Sequence, residues 1–205
     1  MRLIKKHLIL LALVMLTGAE KLSAQSSGLQ QFDDRVLINL ASNRSPEQTD
    51  IFLFLSRTHL YVDVGVPTCL MIGGVLGHDA GMRQNAAYIA SSAAVTYGLT
   101  ELIKYFVQRK RPFVRNIEIV PVYRPSSSSF PSGHTSAAFS TATSLSMAYS
   151  KWYVVAPAFL WAGSVSYSRM YLGVHYPTDV GSGAFIGAGT ALSWSFLRHT
   201  SGPKK

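Results

Sequence analysis

The sequence has little of what staples or metal-clusters a fold. Cys69 is the only cysteine among 205 residues, so no internal disulfide can form, and no Cys/His cluster has metal-ligand spacing. Cys69 lies in an apolar run, which predicts a buried, unreactive thiol. Charge is also scarce: 14% of residues are charged, against the quarter typical of soluble domains, while 48% are hydrophobic. No internal repeat and no second domain are visible, and the length suits one domain with a real core. Aromatic and basic residues do not alternate in stripes that would read single strands, so nucleic acid is not the expected partner. His59, His78 and His199 read as ordinary surface or interfacial histidines.

The charge that is present is unbalanced. Nineteen Lys and Arg face ten Asp and Glu, for a formal charge of +9. The isoelectric point is about 9.8. Such a chain meets anionic lipid, nucleic acid or an anionic substrate, and charge alone does not choose. Mean hydropathy is a modest +0.19, so a membrane assignment must come from where the apolar residues cluster. Arg2, Lys5 and Lys6 precede the apolar run Leu8 to Leu16, and small and polar residues follow. This pattern predicts a signal peptide over 1–24, cleaved after Ala24, with an uncleaved first membrane helix as the alternative.

Further on, Phe32, Val36, Leu37 and Leu40 recur at helical spacing and predict an amphipathic helix on the membrane or bundle surface. Ile51 to Leu55 and Tyr61 to Gly77 are apolar, broken by Arg57, His59 and Asp63, and the second piece is a candidate span. His78 to Gln84 is a polar connection. Asn85 to Val107 is rich in small residues that let membrane helices approach closely. A loop over Phe113 to Phe130 precedes three apolar helices, at about Thr135 to Tyr149, Trp152 to Tyr167 and Asp179 to Leu197. The expected fold is all-α, a membrane-embedded bundle of five to six helices. With the mature N-terminus outside, five spans put Arg83, Lys151, Arg198, Lys204 and Lys205 on the inner side. Arg109, Lys110, Arg111, Arg115 and Arg124 then lie outside, against the positive-inside rule, which suggests that they serve an anionic ligand.

Three polar stretches share that outer face. In Lys104–Pro112, Lys104 and Arg111 are two helical turns apart, and Pro112 ends the helix nearby. In Ser129–Ser136, a Pro-Ser-Gly turn opens an Ala-rich helix whose free N–H groups at Ser132, Gly133 and His134 would cradle an anion, with His134 on the rim. In Ser168–Asp179, Pro177 suits a first helical turn, so Asp179 can reach back to His175. An Asp bonded to one ring nitrogen leaves the other free to attack or to bind metal. Arg169 adds a fork of donors suited to phosphate oxygens. Each stretch alone is also compatible with a plain capped turn. Together they hold three cations, a backbone nest and two histidines, the inventory phosphoryl transfer requires. With the cations in the protein, no Mg²⁺ is needed.

Lys-x6-Arg-Pro at Lys104–Pro112, Pro-Ser-Gly-His at Pro131–His134 and Ser-Arg-x5-His-x3-Asp at Ser168–Asp179 resemble the three signatures of the type 2 phosphatidic acid phosphatases (PAP2). That superfamily includes class A acid phosphatases and vanadium haloperoxidases. The resemblance implies one PAP2-type domain over 25–205 and a site without metal or cofactor. It further implies that His175 attacks phosphorus to give a phosphohistidine, oriented by Asp179, and that His134 protonates the leaving oxygen and then activates water. Lys104, Arg111, Arg169, Ser132 and the Gly133 amide would hold the phosphoryl oxygens. It is silent on Arg109, Lys110, Arg115 and Arg124, read here as headgroup contacts.

The expected substrate is a lipid phosphate or diphosphate, such as undecaprenyl diphosphate, phosphatidic acid, phosphatidylglycerol phosphate or lipid A. The expected place is a bacterial-type inner membrane with the site facing the periplasm. Rivals are a soluble periplasmic acid phosphatase, a haloperoxidase holding vanadate on His175, and a non-catalytic phospholipid-binding membrane protein.

Overall fold

Ser45, Pro46 and Glu47 start a helix in the manner their chemistry dictates. The Ser45 hydroxyl accepts from the Gln48 N–H, Pro46 needs no acceptor, and Glu47 complements the positive end. The helix then runs unbroken to Leu76. The computed structural model describes residues 26–199, so the proposed signal segment lies outside the described residues. The elements are α1 (Ser26–Ser42), α2 (Pro46–Leu76), α3 (Ala80–Val107), the single turn α4 (Pro112–Arg115), α5 (Gly133–Ala148), α6 (Trp152–Tyr171) and α7 (Pro177–Ser193), followed by a 3₁₀ turn at Ser195–Leu197. Among the described residues there is no strand.

The expected break at Arg57, His59 and Asp63 does not occur, because α2 is built inside out. Ser56, Asp63, Pro67 and Gly74 recur on one buried stripe, while Phe54, Leu60, Tyr61, Ile72 and Leu76 are exposed. Polar groups inside and large apolar groups outside reverse the arrangement of a soluble helix, and they suit a lipid surround. Cys69 shares that outer surface and is exposed, contrary to the buried thiol expected from its apolar neighbours. The pattern is general: polar and charged residues outnumber apolar ones among the buried positions, and Leu160, Phe185 and Leu192 extend the apolar exterior. Pro46–Leu76 and Pro177–Leu197 are long and apolar enough to cross a membrane by length and composition. Helices α3 (28 residues), α5 (16 residues) and α6 (20 residues) are each longer than the stretches marked in the sequence, but they do not combine that length and apolarity.

Small residues set the helix spacing. A Cβ on Gly183 would stand 2.7 Å from the Ser132 carbonyl oxygen, and one on Gly187 would overlap that of Ser136. Only a four-residue glycine repeat lets α7 approach α5 so closely. Hydroxyls tie α3 to the same helix: Thr96 Oγ1 donates to Ser140 Oγ at 3.0 Å, and Thr100 and Ser136 share a 2.9 Å bond. Ala138, Ala142, Ala162 and Val165 close the α5–α6 contact. Helix α5 is therefore the hub, and the helices around it bring Lys104, Arg169 and the turn before α7 to its N-terminal end.

Candidate active site

At that end, Ser132 is the N-cap of α5, and its hydroxyl accepts no backbone N–H of the helix. It accepts from Thr135 Oγ1 at 3.0 Å, which leaves its proton for a ligand. The cradle is narrower than expected, because the Ser132 N–H already donates to the Asp179 carbonyl. The first-turn N–H groups of Gly133 and His134 have no intrahelical acceptor and remain for an anion. Lys104, in the last turn of α3, puts its ammonium 3.3 Å from where a Gly133 Cβ would be. A cation held over a positive helix end is unfavourable unless an anion joins it. Glu101, 2.8 Å from Lys104, offsets part of that cost. A cavity of about 490 Å³ opens beside them, lined by Glu101, Lys104, Tyr105, Gln108, Ser127 and Ser128.

Arg111 and Arg169 complete the positive wall. Arg111 is buried, donating to the Ser127 and Val174 carbonyls at 2.8 and 2.7 Å and to Ser127 Oγ at 3.1 Å. Burial, and then the neighbouring Arg169 cation, pull its pKa down to about 10, so it remains charged at neutral pH. Arg169 donates from Nη1 to the hydroxyls of Ser56 and Tyr123, and its Nε is buried with no partner. A buried, unsatisfied guanidinium atom is costly, and a bound phosphoryl group would satisfy it.

His175 lies in the turn between α6 and α7, almost wholly buried. Gly173 makes that turn possible with φ +72°, and the Arg44 guanidinium sits 2.8 Å from where its Cβ would be. Arg44 in turn donates to the Tyr171 and Val120 carbonyls, pinning the turn to the α1–α2 junction. Nε2 of His175 is 3.3 Å from Arg111 Nη1, facing the anion site. Nδ1 faces Asp179 Oδ2 at 3.6 Å, too long for a hydrogen bond, and has no other partner. Burial, opposed by Asp179 and helped by Arg169, lowers the imidazole pKa from 6.5 to about 4. The ring is therefore neutral and nucleophilic at physiological pH.

The direct His175–Asp179 hydrogen bond expected from the spacing is thus replaced by a fuller set of contacts. Asp179 Oδ1 accepts from Arg109 at 2.6 Å, and Oδ2 accepts from Ser129 Oγ at 2.5 Å and from the Tyr176 N–H at 3.0 Å. The carboxylate fixes the backbone before α7 as well as facing the imidazole. Arg109, expected at lipid headgroups, is instead turned inward. It bridges Asp179 and Asp33, contacts Gln30 and Thr178, and lies 4.0 Å over the Tyr176 ring. Burial acts to lower its pKa, but Asp179 and Asp33 outweigh that and raise it. Lys110, Arg115 and Arg124 are exposed, as a headgroup reading requires.

His134 follows Gly133 in the first turn of α5, and its ring stacks on His59 with centroids 3.8 Å apart. His59 is therefore no isolated interfacial histidine, whereas His78 and His199 remain exposed. All eight expected site residues converge on one end of the bundle. Arg109 was expected at headgroups, and Ser129, Tyr123, Ser56 and His59 were given no role. The signal for His59 was the interruption of an apolar run by His59 and Asp63, while Arg109 and Ser129 lay within the polar stretches themselves.

An inside-out helical bundle with an anion cradle and a neutral, buried histidine at one end defines a class of membrane phosphotransfer protein. The model of the PAP2 superfamily matches residues 85–202, more than half of the chain. The chain belongs to that superfamily, whose named relatives below are phosphatases, and it is an enzyme of that kind. It is 28% identical over 176 residues to YbjG of Escherichia coli K12, provisionally named an undecaprenyl-diphosphatase, with 82% of each chain covered. It is 34% identical over 131 residues to the undecaprenyl-diphosphatase of Sulfolobus acidocaldarius, covering 60% of this chain and 59% of that one. The transmembrane PAP2-type phosphatidylglycerolphosphate phosphatase of Bacillus subtilis superposes with a TM-score of 0.71 at 22% identity, covering 92% of this chain and 94% of that one.

Proposed function

We propose that the protein hydrolyses a phosphorylated membrane lipid through a phosphohistidine on His175, with a polyprenyl diphosphate as the first substrate to test. The observation that carries the reading is the convergence of Lys104, Arg111, Arg169 and the α5 N-terminus around His175 Nε2. In this mechanism the cations and the Ser132 hydroxyl hold the phosphoryl oxygens while Nε2 attacks in line. Asp179 faces the imidazolium-like charge that develops on His175. His134 gives its proton to the leaving oxygen and recovers one from the water that cleaves the phosphohistidine. The exposed apolar exterior favours a lipid substrate over the soluble acid-phosphatase reading. Two undecaprenyl-diphosphatases among the relatives favour the polyprenyl diphosphate.

The site faces the periplasm in this reading. Arg44, Lys110, Arg115 and Arg124 lie at its end of the bundle, while Arg83, Lys151 and Arg198 lie at the other. The domain runs over 25–205 after a signal segment. Catalysis proceeds without Mg²⁺, because protein cations already neutralise the phosphoryl charge. Detergent-solubilised enzyme should release phosphate from one of a panel of undecaprenyl diphosphate, phosphatidic acid, phosphatidylglycerol phosphate and lipid A. Activity should survive excess EDTA and be inhibited by vanadate. No hydrolysis of any lipid, or loss on chelation with recovery on Mg²⁺, would overturn the proposal.

A further inference from the structure

Asp63 is an acidic residue buried in the middle of α2, one of the two described helices long and apolar enough to cross a membrane. An ionisable group at such a depth is costly and needs a partner. It has two. Oδ2 lies 3.0 Å from His59 Nδ1 one turn earlier on α2, and Oδ1 accepts from Thr141 Oγ1 at 2.8 Å. Thr141 is on α5, seven residues or two turns after His134. The ring of His59, fixed by this carboxylate, covers the ring of His134 at 3.8 Å with the planes inclined by 35°. The four residues close a circuit between the two helices. Within it, His134 is the member with no hydrogen bond from the described residues to either ring nitrogen. An imidazole has a broad, roughly two-fold χ2 well, so the His59 face is what sets its plane.

We infer that His59, oriented by Asp63, is a positioning residue for His134 that aims its nitrogen at the leaving oxygen. The inference rests on the proposed role of His134 as general acid. A carboxylate partner requires the His59 Nδ1 to carry the proton, so a neutral His59 presents a π face to His134. Two cationic rings at this separation would repel. Lys104 from α3, Arg169 from α6 and His175 from the following turn also surround His134.

The test separates acid catalysis from general damage through the leaving group. Phosphatidic acid expels an alkoxide-like oxygen and needs the proton, whereas p-nitrophenyl phosphate needs little help in its first turnover. His59→Ala should lower kcat on phosphatidic acid about tenfold or more with a KM change under about threefold, since general acids supply roughly 10²–10⁴-fold and misplacement forfeits part of it. The first-turnover burst of nitrophenolate should fall by a factor at least several times smaller. His59→Phe keeps a ring face and should recover part of the phosphatidic acid turnover lost in His59→Ala, even if one of the two variants is poorly stable. Equal losses on both substrates, no loss on phosphatidic acid, or His59→Phe falling as far as His59→Ala would overturn the inference. His134→Ala run in parallel isolates the underlying reading. If it shows no leaving-group dependence, the acid role of His134 fails. If it does show that dependence and His59→Ala does not, only the positioning role of His59 fails.

Discussion

Arg109→Met removes the guanidinium that joins two buried carboxylates and keeps much of its apolar stem. Its side chain is 22% exposed, while those of Asp33 and Asp179 are 1% and 0% exposed. Removing one member of a buried ion pair costs about 3–5 kcal/mol, because the remaining charge stays desolvated. Two features lower that figure here. Water can follow the Arg109 path, and both carboxylates keep hydroxyl or backbone donors, from Thr178 to Asp33 and from Ser129 and Tyr176 to Asp179. A loss near 3 kcal/mol is expected, about a hundredfold in the folded-to-unfolded ratio. Thermal unfolding of the solubilised variant should report it. Turnover should fall on lipid and water-soluble substrates alike, because the turn carrying His175 is loosened.

Asp33→Asn supplies the control. With one carboxylate already neutral, Arg109→Met should cost less than in the parent, giving a coupling of about 1–3 kcal/mol in a double-mutant cycle. A headgroup-binding Arg109 predicts something different: a raised KM for lipid, unchanged stability and unchanged hydrolysis of nitrophenyl phosphate. That result, or strict additivity with Asp33→Asn, would refute the inward role.

The two motif histidines should separate in rapid-quench experiments with labelled nitrophenyl phosphate. His175→Ala should trap no label, while His134→Ala should accumulate it because hydrolysis of the intermediate is slow; the reverse pattern would exchange their roles. Asp179→Asn should be milder than His175→Ala in the same assay, since it keeps the attacking atom and weakens only its surroundings. His175 also makes stability depend on pH. Its folded pKa of about 4 lies below the ordinary 6.5, so its contribution is complete above pH 6.5 and is lost as pH falls toward 4. The loss is about 3 kcal/mol at most. His175→Asn should flatten that part of the stability curve, and a curve unchanged by the substitution would show that the imidazole is not held neutral.

Much was decided by local sequence. Pro46, Pro112 and Pro177 each stand in a first helical turn, where the missing N–H costs nothing, whereas Pro67 and Pro157 lie inside α2 and α6, so proline marks some boundaries and not others. The three motifs identified Lys104, Arg111, Ser132, Gly133, His134, Arg169, His175 and Asp179 as one set, because phosphoryl transfer constrains residue type and spacing together. The all-helical class followed from apolar runs and small residues.

Tertiary structure decided which side of each residue mattered. Arg109 and Lys110 are neighbours in a basic run, yet one closes a buried ion-pair bridge and the other meets solvent; only the approach of α1, bringing Asp33, distinguishes them. His59 and Asp63 read as interruptions of a span because hydropathy averages over all faces of a helix. Their meaning depends on α5, more than seventy residues away in sequence, which supplies His134 and Thr141. Cys69 shows the same limit in reverse: apolar neighbours predict burial only where the protein interior is the apolar phase, and in this bundle the apolar groups face outward. The types of residue the chemistry needs are written along the chain, whereas the face each one presents is set by the helix packed against it.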